Sequence, residues 1–497
     1  MLGLHDATNE SVMSDQMDIL SEIAQEARRL GCSEADLRYV NRSVEWISVR
    51  NGRLQTCSDL SDAGVGVRVR IGLATGYAGC AYSDPKSLRE GLRRAVAMAK
   101  ASDGVTYEEL DLATPPVEQG TYRTATPGGD PFDVPLEQRI ERLSELASVL
   151  KTDPRIQVAN ASQVMMRRHT LLATMHGTRI DQTIILNGGG MSAIAEDNGQ
   201  VQQRSYPKDF EGNVLQGGEE VFEILNLPAH VDRIREEAIA LCHAPPCPEM
   251  LTDLVIDTDQ LGLQIHESCG HPTEADRALR EELSLAGSSF LTPDLLTKDF
   301  QYGSPAVSLV ADSTTPLGPG TFGWDDEGVP AGQVDLVRDG IFRGYLTSRA
   351  TSKRLGCAPI GACRAESWHS EPIVRMVNIN LEPGDGGSLD DLISSTDRGL
   401  LIQTNRSWSI DDHRLNFQFG CEMAREIKGG KLGQLYRNPV YTGITPEFWG
   451  SCDAIGGPQD WRMWGWFFCG KGDPPQIMHV GHGTAPARFR NVQVRAS

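Results

Sequence analysis

Apolar residues recur at helical intervals over 17–31, where Met17, Leu20, Ile23, Ala24, Ala27 and Leu30 share a face and Gly31 ends the run. Residues 36–49 alternate as a strand, and Asn51-Gly52 after them is a hairpin signal. Val65, Val67, Val69 and Ile71 then occupy one face of a second strand. A helical pattern over 85–101 completes an α–β–β–α unit. Residues 103–134, rich in Thr, Pro, Gly and Asp, read as a linker. The stripe Leu136, Ile140, Leu143, Leu146 and Leu150 predicts a helix over 135–151, with Pro135 at its first position. Residues 155–205 alternate over long spans and predict consecutive antiparallel strands. A helix over 231–243 should stop at Ala244-Pro245-Pro246. Beyond it the chain is rich in strands and turns, with hairpin signals at Asp339-Gly340 and Gly429-Gly430. The pattern predicts an α+β protein: two mixed α/β regions, 1–102 and 122–245, then a large, mainly antiparallel β domain over 249–497.

Composition narrows the functions. A length of 497 residues suits about three domains. With 47 Lys+Arg against 67 Asp+Glu the net charge is −20, which disfavours nucleic acid and anionic membranes as direct partners. No apolar run approaches the ~18 residues of a membrane span. The first sixteen residues lack the basic start and apolar stretch of a signal peptide. The eleven cysteines are scattered without repeating spacing, which suits free thiols in a reducing compartment. A cytoplasmic location is the expectation.

The chemistry concentrates in His266-Glu267-Ser268-Cys269-Gly270-His271. Neutral imidazoles bind Zn²⁺, and a neighbouring carboxylate can serve as general base toward water. Asp257 or Thr258 can cap a helix that begins before the motif, with Leu261 and Ile265 on its core side. The histidines are five apart, however, so on a straight α-helix they diverge by roughly 140°. A wide π-type turn, or a break at Gly270 and Pro272, would bring His271 back toward His266. A catalytic zinc usually takes a third protein ligand. Cys357, Cys363, His369, His413, Cys421, Cys452, Cys469, His479 and His482 are all open for it.

His266-Glu267-x-x-Gly270-His271 followed by Glu274-x-Asp276 resembles the signature of the TldD/PmbA (TldD/TldE) family of zinc metallopeptidases. Asn51-Gly52 with residues 64–69 resembles the family's N-terminal hairpin region. Asp325-Asp326-Glu327-Gly328-Val329-Pro330, Arg364-Ala365-Glu366-Ser367, Pro372-x-x-Arg375-Met376-x-Asn378 and Cys469-Gly470-Lys471 resemble later family stretches in the same order. The likeness runs over roughly residues 35 to 496 and is closer to the catalytic, TldD-like kind. It implies Zn²⁺ on His266, His271 and Cys469, Glu267 as general base, and a homodimer or a heterodimer with a paralogue. Two departures bear on substrate preference: Pro272 replaces a usual Gly, and His482 stands where Gln is usual.

Other residues are candidates around such a site. Glu274 and Asp276 can hydrogen-bond a ligand histidine. His479 and His482 can donate to an oxyanion if the chain turns back. Trp449, Trp461, Trp464, Trp466, Phe467 and Phe468, within the Trp-rich 446–468 stretch, can wall a peptide pocket. Cys242-His243 with Cys247 has only a loose metal-ligand look. The expected function is zinc-dependent hydrolysis of small, unfolded or extended peptides. The alternatives are a pathway-specific peptidase or amidohydrolase trimming a natural-product intermediate, and a non-catalytic subunit stabilising a paralogous partner.

Overall fold

The computed structural model describes residues 5–81, 83–103, 112–209, 212–282 and 287–496, with side chains from Ser14 onward. Residues 104–111 of the expected linker, and the first four residues of the N-terminal stretch, lie outside these. The fold is α+β with mostly antiparallel sheets.

Helix α1 (His5–Glu26) leads into a long hairpin, β1 (Glu34–Arg50) and β2 (Arg53–Ile71). Asn51 and Gly52 adopt φ of 51° and 72°, as a two-residue turn requires. β3 (Ala74–Cys80) pairs with β2, and α2 (Pro85–Asp103) follows. Within the expected linker lies β4 (Gln119–Arg123), paired parallel to a later strand. Its five residues carry no apolar alternation, so pattern alone could not reveal it. α3 (Leu136–Leu150) starts one residue after Pro135, which precedes the helix instead of opening it. The alternating stretch becomes β5 (Ile156–Thr174), β6 (Arg179–Asp197) and β7 (Gln200–Tyr206), followed by β8 (Asn213–Gln216), α4 (Glu220–Leu225) and α5 (Val231–His243).

The two N-terminal regions share one eight-stranded sheet in the order β3-β2-β1-β5-β6-β4, with β7 and β8 on β6. Strand alternation explains how it feeds several cores. Odd-numbered residues of β1 and β5 (Leu37, Ile47, Val49, Ala159, Ala161, Leu171, Ala173) pack with the helices. Even-numbered ones (Val44, Trp46, Val164, Met166) pack against the C-terminal body. The sheet is thus a wall between a helical layer and that body.

The C-terminal body is built around a closed barrel. β9 (Met250–Ile256) lies parallel to Arg398–Ile410 and antiparallel to Ala487–Ala496. Ala487–Ala496 pairs with Pro439–Ile444, which pairs with Asn416–Lys428, which returns to Arg398–Ile410. Closure leaves this ring without a free edge. The turns expected at Asp339-Gly340 and Gly429-Gly430 form, all four residues at positive φ. From β9 the chain enters α6 (Thr258–Ile265), every residue of which is buried. Tyr441, on a barrel strand, bonds Gln260 at 2.9 Å and Gln264 at 3.0 Å, anchoring the helix from its polar side.

Candidate metal centre

The Asp257 carboxylate accepts the Thr258 N–H at 2.7 Å and caps α6. After Ile265 the helix widens. Residues His266–Gly270 form one π turn, in which the His271 N–H donates to the His266 carbonyl five residues back. The imidazoles therefore meet, with ring centroids 4.9 Å apart at 89°. The role of Gly270 differs from the expectation. Its φ of −71° and ψ of −65° are available to any residue. What it supplies is space, because a Cβ there would lie 2.0 Å from Met376 Sδ in the core. Gly270→Ala is expected to destabilise the protein by about 1–3 kcal/mol through overpacking. The measurement is a lower denaturation midpoint with an unchanged slope.

Cys469 arrives from the other side, on the strand Arg462–Lys471 paired with Gln476–Thr484. Trp466 pairs with Val480 and Cys469 with Met478, so three steps on one strand match two on the other. This is a one-residue bulge. In a regular strand, positions 466 and 469 face opposite ways; the bulge turns Cys469 onto the face of Trp466. Cys469 Sγ comes within 3.8 Å of His271 Nε2. Ligand-capable atoms of His266, His271 and Cys469 all lie within 4.8 Å of one another. Among the described residues no other downstream histidine or cysteine joins this group.

The electrostatics prepare these groups for a cation. Burial pushes His266 down to about 4 and lowers His271 as well, helped by the Arg414 cation. Burial alone would raise the Cys469 thiol, but His271 and Arg375 outweigh it and bring it below its ordinary value. Cysteine sulfur and imidazole nitrogen are the ligand types that zinc takes, and each binds it in its deprotonated form. Tetrahedral zinc would separate S and N by about 3.6 Å, close to the gap between Cys469 and His271.

Glu274 accepts from His271 Nδ1 at 3.0 Å and from Arg277 at 2.8 Å. Despite burial, Lys471, His271 and Arg277 hold its carboxyl well below the usual range. Asp276 takes Lys471 Nζ at 2.7 and 2.8 Å, although burial raises its own carboxyl. Glu274 thus bonds His271 directly, whereas Asp276, expected to bond a histidine as well, bonds Lys471, which lies 3.5 Å from Glu274. Glu267 Oε2 pairs with Arg414 at 2.5 Å. Both line a cavity of about 380 Å³ that also holds His266, His271 and Cys469.

Of the aromatic candidates, Trp466 and Phe468 line this cavity, joined by Trp408, which the sequence reading did not single out. Trp449, Trp464 and Phe467 are packed in the core, and Trp449 donates to Ser268 Oγ at 3.0 Å. Trp461 bonds the Leu381 carbonyl at 3.2 Å. His479 and His482 are buried and do not line the cavity. His479 is held at the Phe467 carbonyl (2.7 Å), and His482 lies against His266. Cys242 is core, and His243 pairs with Asp197 at 2.8 Å.

The other motif blocks brace the cluster. Asp326 accepts from Arg168 at 3.1 Å and from the Ala365 N–H at 2.7 Å. Glu366 pairs with Arg42 of β1 and accepts the Ile477 N–H at 2.8 Å. Arg375 donates to the Cys469 carbonyl. These contacts tie the sheet to the hairpin that carries Cys469.

Beside the closed barrel, then, lies a buried histidine–cysteine cluster that could hold a metal ion, with a carboxylate next to it. Residues 35–101 match the PmbA/TldA metallopeptidase domain 1, residues 129–241 the PmbA/TldA metallopeptidase central domain, and residues 250–496 the PmbA/TldA metallopeptidase C-terminal domain. The chain belongs to the TldD/PmbA family. It is 30% identical to a metalloprotease of Methanothermobacter thermautotrophicus, over 93% of this chain and 95% of that one. It is 26% identical to a zinc metalloprotease TldD homolog of Saccharolobus solfataricus, over 48% of this chain and 51% of that one. In fold it is similar to the crystal structure of TldE from Thermococcus kodakarensis, with a TM-score of 0.69, 17% identity, and 96% of this chain and 100% of that one covered.

Proposed function

We propose that this chain is a zinc-dependent peptidase acting on small, unfolded or extended peptides. The observation that carries the reading is the convergence of His266, His271 and Cys469 on one point beside Glu267, in one cavity. His266, His271 and Cys469 would hold zinc, which when bound supplies a Lewis acid that polarises a carbonyl and acidifies water. Arg414 holds Oε2 of Glu267. Oε1 is then the oxygen that takes a proton from the attacking water, and the protonated Glu267 returns it to the leaving amine. The Arg414 guanidinium, on the same wall, offers positive charge to the carbonyl oxygen as it becomes anionic. Trp408, Trp466 and Phe468 give the cavity apolar walls for an extended peptide. Assembly as a homodimer, or with a TldE-like paralogue, is part of the same proposal, as is a cytoplasmic setting.

The test is metal dependence. Purified protein should contain zinc and cleave an unstructured peptide, lose both on treatment with a strong chelator, and regain both on addition of zinc. Undiminished hydrolysis by metal-free protein would overturn the reading.

A further inference from the structure

His482 lies on the strand Gln476–Thr484 and is fully buried. Its Nε2 is 2.8 Å from His266 Nδ1, and the rings meet edge to face at 86°. Its other nitrogen, Nδ1, is 3.3 Å from the Ile379 carbonyl oxygen. A carbonyl only accepts, so Nδ1 of the neutral His482 ring carries the hydrogen and Nε2 is the acceptor. The hydrogen of His266 therefore sits on Nδ1, facing His482, and its Nε2 keeps a lone pair. The opposite tautomer would set two lone pairs 2.8 Å apart in a buried site.

His271 reaches the same state by a different route. Its Nδ1 faces the Glu274 carboxylate at 3.0 Å, which leaves Nε2 toward Cys469. One imidazole is thus backed by an anion and the other by a neutral ring. The His482 ring is itself held in place. Trp464 is its partner across the ladder, and the Trp466 ring is 5.0 Å from it and 5.8 Å from His266.

We infer that His482 is a positioning residue for metal binding: a buried acceptor that fixes the His266 tautomer so that Nε2 is presented to the ion. The inference rests on the zinc reading of the site. It gives His482 a task other than donating to substrate, and it predicts that any acceptor of similar reach will serve.

The test compares His482→Leu with His482→Gln. Leucine fills the space but accepts nothing, whereas the glutamine side-chain carbonyl can accept the Nδ1–H of His266. Zinc affinity is read by competition with a chromophoric chelator, and site geometry by the absorption spectrum of the cobalt-substituted protein. The leucine variant should lose about 10–100-fold in zinc affinity and show an altered cobalt spectrum. The glutamine variant should stay near wild type in both. Nitrogen-15 shifts of the metal-free wild type, which require no substitution, should place the hydrogen on Nδ1 in both rings. The inference is overturned if the leucine variant binds zinc as tightly as wild type, if glutamine is as weak as leucine, or if His266 carries its hydrogen on Nε2. Wild-type protein that binds no zinc overturns the reading of the site and the inference with it. Zinc that depends on Cys469 but not on His482 overturns the inference alone.

Discussion

Replacing Glu267 by glutamine is expected to lower kcat for peptide hydrolysis by about 10²–10⁴-fold, the range for losing a general base, with zinc content unchanged. The amide keeps the size of the side chain and can still lie against Arg414, but it cannot take a proton from water. Because Glu267 is not among the three converging ligand-capable groups, the metal should remain. The two readouts therefore separate: turnover falls, while metal analysis stays close to wild type. Turnover equal to wild type would remove Glu267 from the role of base. Loss of zinc together with turnover would instead make it part of the ion's coordination.

Cys469→Ala should remove both. It deletes the thiolate and leaves two neutral imidazoles, so zinc affinity should fall by at least about 100-fold, the upper end of what even an outer hydrogen-bond partner contributes. Hydrolysis should fall to background. The fold should survive, because the strand is held independently. Arg375 bonds the Cys469 backbone carbonyl, and Lys471 bonds Asp276 and the Val374 carbonyl, the latter at 2.6 Å. The measurement is zinc per chain by elemental analysis beside a thermal melt of the metal-free protein. Full zinc occupancy in the alanine variant would exclude Cys469 from the centre.

Much of this architecture is legible in local pattern, and what is not has physical reasons. The Asn51-Gly52 hairpin, α3, α5 and the run of strands over 156–206 follow from periodicity and turn chemistry that act over a few residues. The union of the two N-terminal regions does not. It depends on β1 pairing with β5, for example Asp36 with Thr174, and alternation says which face is buried but not which strand lies alongside. The π turn could be anticipated because two histidines five apart cannot serve one ion on a regular helix. The part of Gly270 is not legible locally, because the need for it arises from Met376, more than a hundred residues away. Arg414 gave no signal. It sits in a polar turn at φ 62°, and nothing nearby marks it as the arginine that meets a carboxylate 147 residues earlier in the chain.

The π turn and the strand bulge share a property. Each is a regular element carrying one residue too many, and each surplus residue aims a group at the same point. The arithmetic of chain length thus acts as a setting for the centre. A chain one residue shorter between Trp466 and Cys469 would keep every side chain of the cluster and still point the thiol away, whereas one residue fewer between His266 and His271 would set the histidines four apart, about 40° on a regular helix, and would dispense with the π turn. Whether a chain with this fold can hold an ion here is therefore decided by spacing as much as by residue identity, and a one-residue deletion in the strand bulge would silence the site while leaving the barrel and the sheet intact.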